Sequence, residues 1–495
     1  MVNLKWKGKE EREDILSKNN ETMHFQIHDI YPSINISPTS EQVWQNLLIR
    51  GENKAVMKVL LKKFENKITL IYIDPPFATG GDFNLKVQLG EEGKYLESIA
   101  YKDKWREGLD SYLNFLYERL VLMKILLAGK GSIYIHLDWH ISHYIKLIMD
   151  EIFGIENFRN EIIWGYPAAS VKTRRFFIRS YDTILFYSKS DDYIFNDDPN
   201  IYMEYSSRVK NALKKDEKGI FYYRGGSHNG KKLSRKVYIE QEGIFPRDVW
   251  NDIPYIRANT PEYQGFSTQK PERLLKRIIL ASTNEKDLVA DFFCGSGTTL
   301  AVAEKLGRYW IGCDLNRHAI HITRKRILNI SRSNDILNWK KRYCKDPENF
   351  QILSFEKKDT LISLPNVFLQ KDVQDEKGYQ TKEIPDLNVK IHQSNNKIMI
   401  ELLDYIIPFN DLLADKIKEN IKSFLDFIDY WAIDFNSQNN IFKAMWYSYR
   451  TPKVRVLPLK SDTYYYDKSG DYNILVKTID IFGIESVKSY KIKII

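Results

Sequence analysis

Asp74-Pro75-Pro76-Phe77 sets a carboxylate, two residues without an N–H donor and an aromatic ring in four consecutive positions, directly after the apolar run Ile68-Thr69-Leu70-Ile71-Tyr72-Ile73. Each proline fixes its own φ, so the chain leaves its extended segment here with carbonyls turned outward. A carboxylate and free carbonyls accept hydrogen bonds, and a ring beside them stacks; together they suit a flat, amine-bearing heterocycle. Taken alone, the four residues also fit an ordinary strand-ending turn. A second run narrows the choice. Asp291-Phe292-Phe293-Cys294-Gly295-Ser296-Gly297-Thr298-Thr299 follows the apolar Leu288-Val289-Ala290 and precedes a helical pattern to Leu306. Gly295 and Gly297 permit positive φ and close approach of backbone to a ligand, and Thr298 or Thr299 is expected to cap the helix. The next apolar run ends on Asp314, nineteen positions beyond Gly295. An acidic residue at the end of the next parallel strand is placed to accept both hydroxyls of a ribose. No third glycine follows at the dinucleotide offset and no Gly-Lys-Ser/Thr marks a phosphate loop, so a nucleoside-type cofactor is expected.

The two motifs together resemble those of DNA amino-methyltransferases that use S-adenosylmethionine, whose catalytic signature is Asp/Asn/Ser-Pro-Pro-aromatic and whose cofactor signature is Phe-x-Gly-x-Gly. The catalytic motif precedes the cofactor motif here, an order similar to the beta group of these enzymes. Asn46-Leu47-Leu48-Ile49-Arg50-Gly51-Glu52-Asn53, Ile133-Tyr134-Ile135-His136-Leu137-Asp138-Trp139 and Ser267-Thr268-Gln269-Lys270-Pro271 resemble segments of the modification subunits of Type III restriction systems. The resemblance covers roughly residues 40–330. It implies that Asp74, Pro75, Pro76 and Phe77 are catalytic, and that Asp291, Phe293, Gly295, Ser296, Gly297 and Thr298 line the S-adenosylmethionine pocket. Asp314 would hold the ribose, and Thr268 with Lys270 the methionine carboxylate. An aspartate opening the first motif points to adenine N6 within this family; cytosine N4 and a non-catalytic DNA-binding specificity subunit are the alternatives. Phe77 stands where tyrosine is commoner, and the stacking face is kept. The partners implied are double-stranded DNA, a separate restriction subunit and a second copy of the chain as a homodimer.

Composition sets the class. The chain has 495 residues, 43% hydrophobic and 28% charged, with a net charge of +9, enough for two or three compact units of an ordinary soluble protein. Met1–Asn20 is charged throughout and no apolar stretch reaches membrane length, so neither a membrane span nor a secretion signal is expected, and a cytoplasmic setting is. Cys294, Cys313 and Cys344 lack metal-ligand spacing; no metal is expected. Basic residues cluster between Glu204 and Glu240: Arg208, Lys210, Arg224, Lys231, Lys232, Arg235 and Lys236 are interleaved with aromatics around Gly225-Gly226-Ser227-His228-Asn229-Gly230. With a second patch at Lys172, Arg174 and Arg175 they suit DNA phosphate and base-edge contacts.

Buried strands alternating with amphipathic helices predict a doubly wound, Rossmann-like α/β sheet with ligands at the strands' carboxyl ends. The expected organisation is an N-terminal arm (1–40), a first methyltransferase part (41–190), a target-recognition insert (191–245), a second methyltransferase part (246–340) and a C-terminal α+β or β-sandwich accessory domain (345–495). Within these, Glu41–Phe64 reads as one or two helices, Ala78–Asp110 as a long loop, Leu109–Leu127 as a helix stopped by Gly129-Lys130-Gly131, and Asp411–Tyr430 as helical. His136 and Asp138 read as structural.

Overall fold

The fold is taken from a computed structural model that describes residues 4–17, 24–32, 44–103, 105, 108–167, 175–228, 231–239, 243–355, 362–364, 366–371, 379–438 and 441–495. The chain enters through α1 (Arg12–Ser17), β1 (Phe25–Tyr31), β2 (Asn46–Arg50), α2 (Asn53–Phe64) and β3 (Ile68–Ile73). A hairpin, β4 (Asp82–Leu89) and β5 (Lys94–Lys102), precedes α3 (Leu109–Leu126), β6 (Leu127–Leu137), α4 (Ser142–Phe153), β7 (Phe158–Gly165) and β8 (Tyr181–Ser188). The insert contributes α5 (Ser207–Asn211) and a sheet of β9 (Lys214–Asp216), β10 (Gly219–His228) and β11 (Lys231–Tyr238). The chain then returns through β12 (Val249–Trp250), α6 (Glu272–Ser282), β13 (Leu288–Asp291), α7 (Thr298–Lys305), β14 (Tyr309–Asp314), α8 (Arg317–Leu328) and β15 (Phe350–Phe355).

Among the described residues these strands form one mixed sheet in the order β12-β7-β8-β6-β3-β13-β14-β2-β15-β1, closed by Phe442–Lys443. Its centre, β6 through β15, is parallel throughout, while β8 runs antiparallel to both β6 and β7. All six residues of β3 and all four of β13 are buried, as a sheet covered on both faces requires. Leu70 and Tyr72 join the core beneath α6, α7 and α8, and Ile71 and Ile73 the core beneath α2, α3 and α4. Each fully buried aliphatic chain of this kind contributes about 1.5–3 kcal/mol. Because β3 and β13 are direct neighbours, with Leu70 opposite Val289 and Ile71 opposite Ala290, Asp74 and the Asp291–Gly297 turn leave the sheet side by side.

The structure departs from the sequence reading in several places. Residues 25–31 are not part of a separate arm but a strand of the main sheet, anchored by buried Asp29, which accepts from Arg324 Nη2 at 2.9 Å and from Lys477. Those partners lie hundreds of positions away, so nothing local announces the strand. The main sheet likewise takes β15 and Phe442–Lys443 from beyond residue 340. Where helices were expected over Glu41–Phe64, the described residues from Trp44 on form a strand and one helix, with the Glu52 side chain capping α2 through Lys54 N and Ala55 N. The expected loop after Phe77 holds the β4–β5 hairpin, whose first strand alternates exposed and buried residues. α3 ends at Leu126 and passes directly into β6, so Gly129–Gly131 lies within a strand rather than in a stop. Asp411–Tyr430 is broken into short turns and then the strand Ile428–Asp434, and a capping box of Ser423 and Asp426 starts the last of these turns, Phe424–Phe427.

Beyond the main sheet, a three-stranded sheet (Asp386–Ser394, Lys397–Ile406, Tyr464–Tyr465) faces a four-stranded one (Trp446–Tyr449, Ile428–Asp434, Gly470–Asp480, Glu485–Ile494). Ile398, Ile400, Trp431, Ile433 and Val476 fill the space between them, and Leu85, Val87, Leu89 and Leu96 of the hairpin pack into the same core. The C-terminal sandwich therefore holds the hairpin in place.

Candidate active site

At the carboxyl end of β3 and β13 opens a cavity of about 260 Å³ lined by Asp74 and Pro76 on one side and by Asp291, Phe293, Gly295, Ser296, Thr298 and Asp314 on the other. Thr268 and Lys270 complete it from the segment before α6, and Ala100 and Tyr101 from the hairpin. Two motifs more than two hundred positions apart in the chain thus share one crevice.

The glycine turn is built by its own backbone. Gly295 (φ 48) and Gly297 (φ 72) both adopt the left-handed conformation, which costs a side-chain-bearing residue about 1–2 kcal/mol. A Cβ on Gly297 would lie 2.6 Å from Thr323 Cγ2. Gly297, not a threonine, occupies the cap position of α7. Thr299 Oγ1 donates instead to Asp291 Oδ2 at 2.5 Å, and Thr298 Oγ1 accepts from Arg326 Nη1 at 2.9 Å. The threonines could not cap because the preceding left-handed residue carries them into the first helical turn.

Two carboxylates, the buried Asp291 and the half-buried Asp314, hold the turn. Asp314 accepts from Gly295 N through Oδ2 and from Asn316 N through Oδ1, each at 2.9 Å. Asp291 Oδ1 accepts from Phe293 N at 2.9 Å. Burial pushes the Asp291 carboxyl up to about 7, against the hydrogen bonds from Thr299 and Phe293 and with the Asp74 charge adding to the rise. Burial also raises Asp314, opposed by the backbone N–H groups of Asn316 and Gly295. Cys294 and Cys313 are buried and their thiols lie far above the ordinary range, as core fillers should.

Across the cavity, Asp74 Oδ2 accepts from Lys270 Nζ at 2.7 Å. Its other oxygen, Oδ1, is buried and has no hydrogen-bond partner in the protein. An unpartnered buried acceptor is costly, so this atom is poised for a donor on a ligand. The Lys270 ammonium, expected at a methionine carboxylate, is committed to Asp74 and lies 5.3 Å above the Phe77 ring. Phe77 is half-buried, and its ring stacks on His136 at 6.2 Å and 15°. Pro75, Phe77 and Gly297 sit behind the lining rather than in it. His136 is fully buried between Tyr72 OH (3.0 Å) and Asp182 (2.9 Å), and Asp138 bonds His140, so both are tied into the protein.

Sequence reading did not single out several other residues of this crevice. Asn53 Nδ2 donates to Phe292 O at 2.9 Å while its Oδ1 accepts from Arg119 Nε at 2.5 Å. Phe115 and Phe266 add apolar walls. Asp103 and Tyr112 lie just outside the cavity and bond the backbone of the first motif. The alternation through β4 and the Gly90–Gly93 turn were the available signals for the hairpin that carries Tyr101. Asn53 closes the Asn46–Asn53 segment quoted for its resemblance, without a role assigned to it, and Arg119 has no local signal, since its side-chain partners Asn53 and Glu52 are distant.

The basic residues of the insert are grouped on one element. Arg224 and Arg235 are exposed and directly opposite each other across β10 and β11. Lys236 is paired with Asp216 at 2.7 Å and Lys210 with Glu204 at 2.5 Å, while Arg208 is exposed on α5. Lys231 and Lys232 lie on β11, with side chains outside the described residues; Lys172 and Arg174 also lie outside them, and Arg175 is exposed. None of the described members lines the cavity.

Residues 68–325 match the family model of the N6/N4-type DNA methylase. The Type II methyltransferase M.EcaI of Enterobacter cloacae is 30% identical over 368 residues, spanning 66% of this chain and 77% of its own length. The DNA adenine methyltransferase YhdJ of Escherichia coli is 31% identical over 281 residues, spanning 57% of this chain and 82% of its own. A probable type III restriction-modification Mod subunit, HindVI of Haemophilus influenzae, is 27% identical over 378 residues, and the alignment spans 48% of that protein. Among solved structures, the M1.HpyAVI–SAM complex overlaps 57% of this chain at 16% identity and a TM-score of 0.34. No described helix is long and apolar enough to cross a membrane.

Proposed function

We propose that this chain, which belongs to the N6/N4 DNA methylase family, transfers a methyl group from S-adenosylmethionine to the N6 amine of adenine in double-stranded DNA. The observation that carries the proposal is Asp74 Oδ1: a buried, unpartnered acceptor in the same cavity as the Gly295 turn. The cavity suits the cofactor chemically. Carboxylates at Asp291 and Asp314 would suit a sulfonium-bearing nucleoside, the latter at its ribose, and Phe115, Phe266 and Phe293 offer apolar walls.

When bound, the cofactor supplies an electrophilic methyl carbon on sulfur. The protein's task is to make a weak nucleophile attack it. The adenine amine is flat and its lone pair is delocalised into the ring. Asp74 Oδ1 accepts one N–H, drawing the nitrogen toward a pyramidal shape, and a Pro75 carbonyl would accept the other. The amine lone pair would then be free to attack that methyl, and the proton the nitrogen gives up would leave toward Asp74 or solvent. Lys270 holds the Asp74 carboxylate in orientation. Holding the reactants in line supplies up to about 7–11 kcal/mol in favourable cases. A base buried in a duplex must first be flipped out, at a cost of a few kcal/mol; phosphate contacts from Arg224 and Arg235 on the insert would offset this.

An aspartate at position 74 and the similarity to an adenine methyltransferase favour adenine over cytosine N4. Similarity to Mod subunits supports a place in restriction-modification beside a separate restriction subunit, with the chain as a homodimer. Sedimentation of the purified protein tests the dimer. The decisive experiment is mass spectrometry of nucleosides from DNA incubated with the protein and S-adenosylmethionine. Wild type should yield N6-methyladenine, and Asp74→Ala should bind cofactor and DNA yet leave no mark. N4-methylcytosine, or full activity in the variant, refutes the assignment.

A further inference from the structure

We infer that Asp103 and Tyr112 are positioning residues for the transfer step, fixing the backbone that presents the Asp74–Phe77 ledge to the target base; the inference rests on the function proposed above. Asp103 is wholly buried where the chain leaves the hairpin. Its carboxylate gathers four donors: Ala78 N at 2.9 Å, Thr79 N at 2.7 Å, Thr79 Oγ1 at 2.9 Å and Trp105 Nε1 at 3.0 Å. Two backbone bonds reinforce the clamp, Gly80 N to Asp103 O at 3.1 Å and Asp103 N to Gly81 O at 2.9 Å.

The clamp holds a conformation the chain would not choose unaided. Ala78, the residue directly after Phe77, has φ 55, a left-handed state that a residue with a Cβ keeps only when its surroundings impose it. From the other side Tyr112 of α3 donates to Pro76 O at 2.8 Å, and the Trp105 ring packs edge-on against Tyr112 at 5.0 Å. Pro76, Ala78 and Thr79 are thereby gripped by side chains from two elements, while Asp74 Oδ1 is left free for the substrate. Neither Asp103 nor Tyr112 lines the cavity, so both act through the ledge.

The same carboxylate also couples two walls of the site. Tyr101, two residues before Asp103, lines the cavity and stacks on Phe83 at 4.8 Å. The hairpin behind it is seated on the C-terminal sandwich. Asp103 is the joint where that braced hairpin meets the catalytic ledge. An asparagine there offers one acceptor and turns an N–H group toward backbone donors that need an acceptor.

The test uses the full chain with Asp103→Asn, Thr79→Val and Tyr112→Phe. It measures kcat, the KM for DNA, the equilibrium Kd for S-adenosylmethionine and the thermal midpoint. A misplacement of about 1 Å costs about 100-fold in rate, so Asp103→Asn should lose about 100-fold in kcat. Tyr112→Phe, lacking one hydrogen bond, and Thr79→Val, lacking the bond to Asp103 and a longer one from Gly81 N at 3.4 Å, should each lose up to about 10-fold. Cofactor Kd should stay within about 2-fold in all three, since the glycine turn is untouched, and this split between kcat and binding is what a merely structural role would not produce. Unchanged kcat in Tyr112→Phe and Thr79→Val overturns the inference, as does a fall in kcat matched by equal losses of cofactor affinity and thermal midpoint. These two variants decide the matter if Asp103→Asn fails to fold. A wild-type chain that methylates no DNA would defeat the proposed function instead, and is read separately.

Discussion

Gly297→Ala probes the bend on which the cofactor side of the cavity depends. Gly297 has φ 72, and a methyl group there would meet Thr323 Cγ2 at 2.6 Å and Thr323 Oγ1 at 2.7 Å. The left-handed backbone costs an alanine about 1–2 kcal/mol. Thr323 must also move, which breaks its hydrogen bond to Gly295 O at 3.1 Å, worth about 0.5–1.5 kcal/mol. The sum is about 1.5–3.5 kcal/mol. Isothermal titration should show cofactor affinity falling about 10-fold or more, because the turn can relax away from its binding shape more cheaply than the whole chain can unfold. Gly129→Ala is the control, since a Cβ there meets nothing within 4 Å and its φ is not positive. Adding Thr323→Ala to Gly297→Ala removes the clashing Cγ2 and Oγ1 but also the hydroxyl that bonds Gly295 O, so the double variant should recover little of the loss. Wild-type affinity in Gly297→Ala would refute the reasoning, and complete recovery in the double variant would refute the backbone share of it.

Lys270→Met strips the partner from Asp74, and breaking a largely buried pair should destabilise by about 3 kcal/mol and abolish transfer. Combining it with Asp74→Asn should restore the thermal midpoint but not the activity. Asp291, held at about 7 by burial, lies above its unfolded value, so it favours the folded state increasingly as pH falls from about 8 toward 6. Asp480 and Glu262 are raised to about 7 in the same way. Burial lowers His318 and His321 to about 4, which opposes this as the unfolded imidazoles protonate. The readout is therefore the difference between wild type and Asp291→Asn, whose thermal midpoint should drop further below wild type as pH falls from 8 to 6, and a gap that does not widen contradicts the assignment. Glu272 is buried with Lys305 Nζ at 2.6 Å and Arg326 Nη2 at 2.7 Å. Glu272→Gln should cost about 3–5 kcal/mol by leaving two cations without their counter-charge, read as a lower denaturant midpoint.

The parallel centre of the sheet was legible because strands buried on both faces have no polar alternation to confuse, and β3 and β13 are buried end to end and apolar but for Thr69 and the closing Asp291. The site followed from the same property: residues placed at the ends of such strands share one edge. The hairpin went unread although Asp82–Leu89 alternates cleanly, because the prolines and glycines before it made a loop the simpler reading. β1 had no usable signal. Its burial depends on Asp29 meeting Arg324 and Lys477, and charge complementarity across the whole chain has no local period. Asp103 was hidden as well, since two of its four donors are backbone N–H groups that no residue type reveals and a third, the Thr79 hydroxyl, lies 24 positions away.

That pairing of Asp29 with Lys477 spans 448 positions. A growing polypeptide emerging from the ribosome can assemble the parallel strands early, but the last edge must wait until nearly the whole chain has been synthesised. Contacts of such sequence separation form slowly, and until they do an unpaired strand rim is open to other nascent chains. A chain cut before Gly470, and so without Lys477, should therefore yield aggregates rather than a smaller working enzyme.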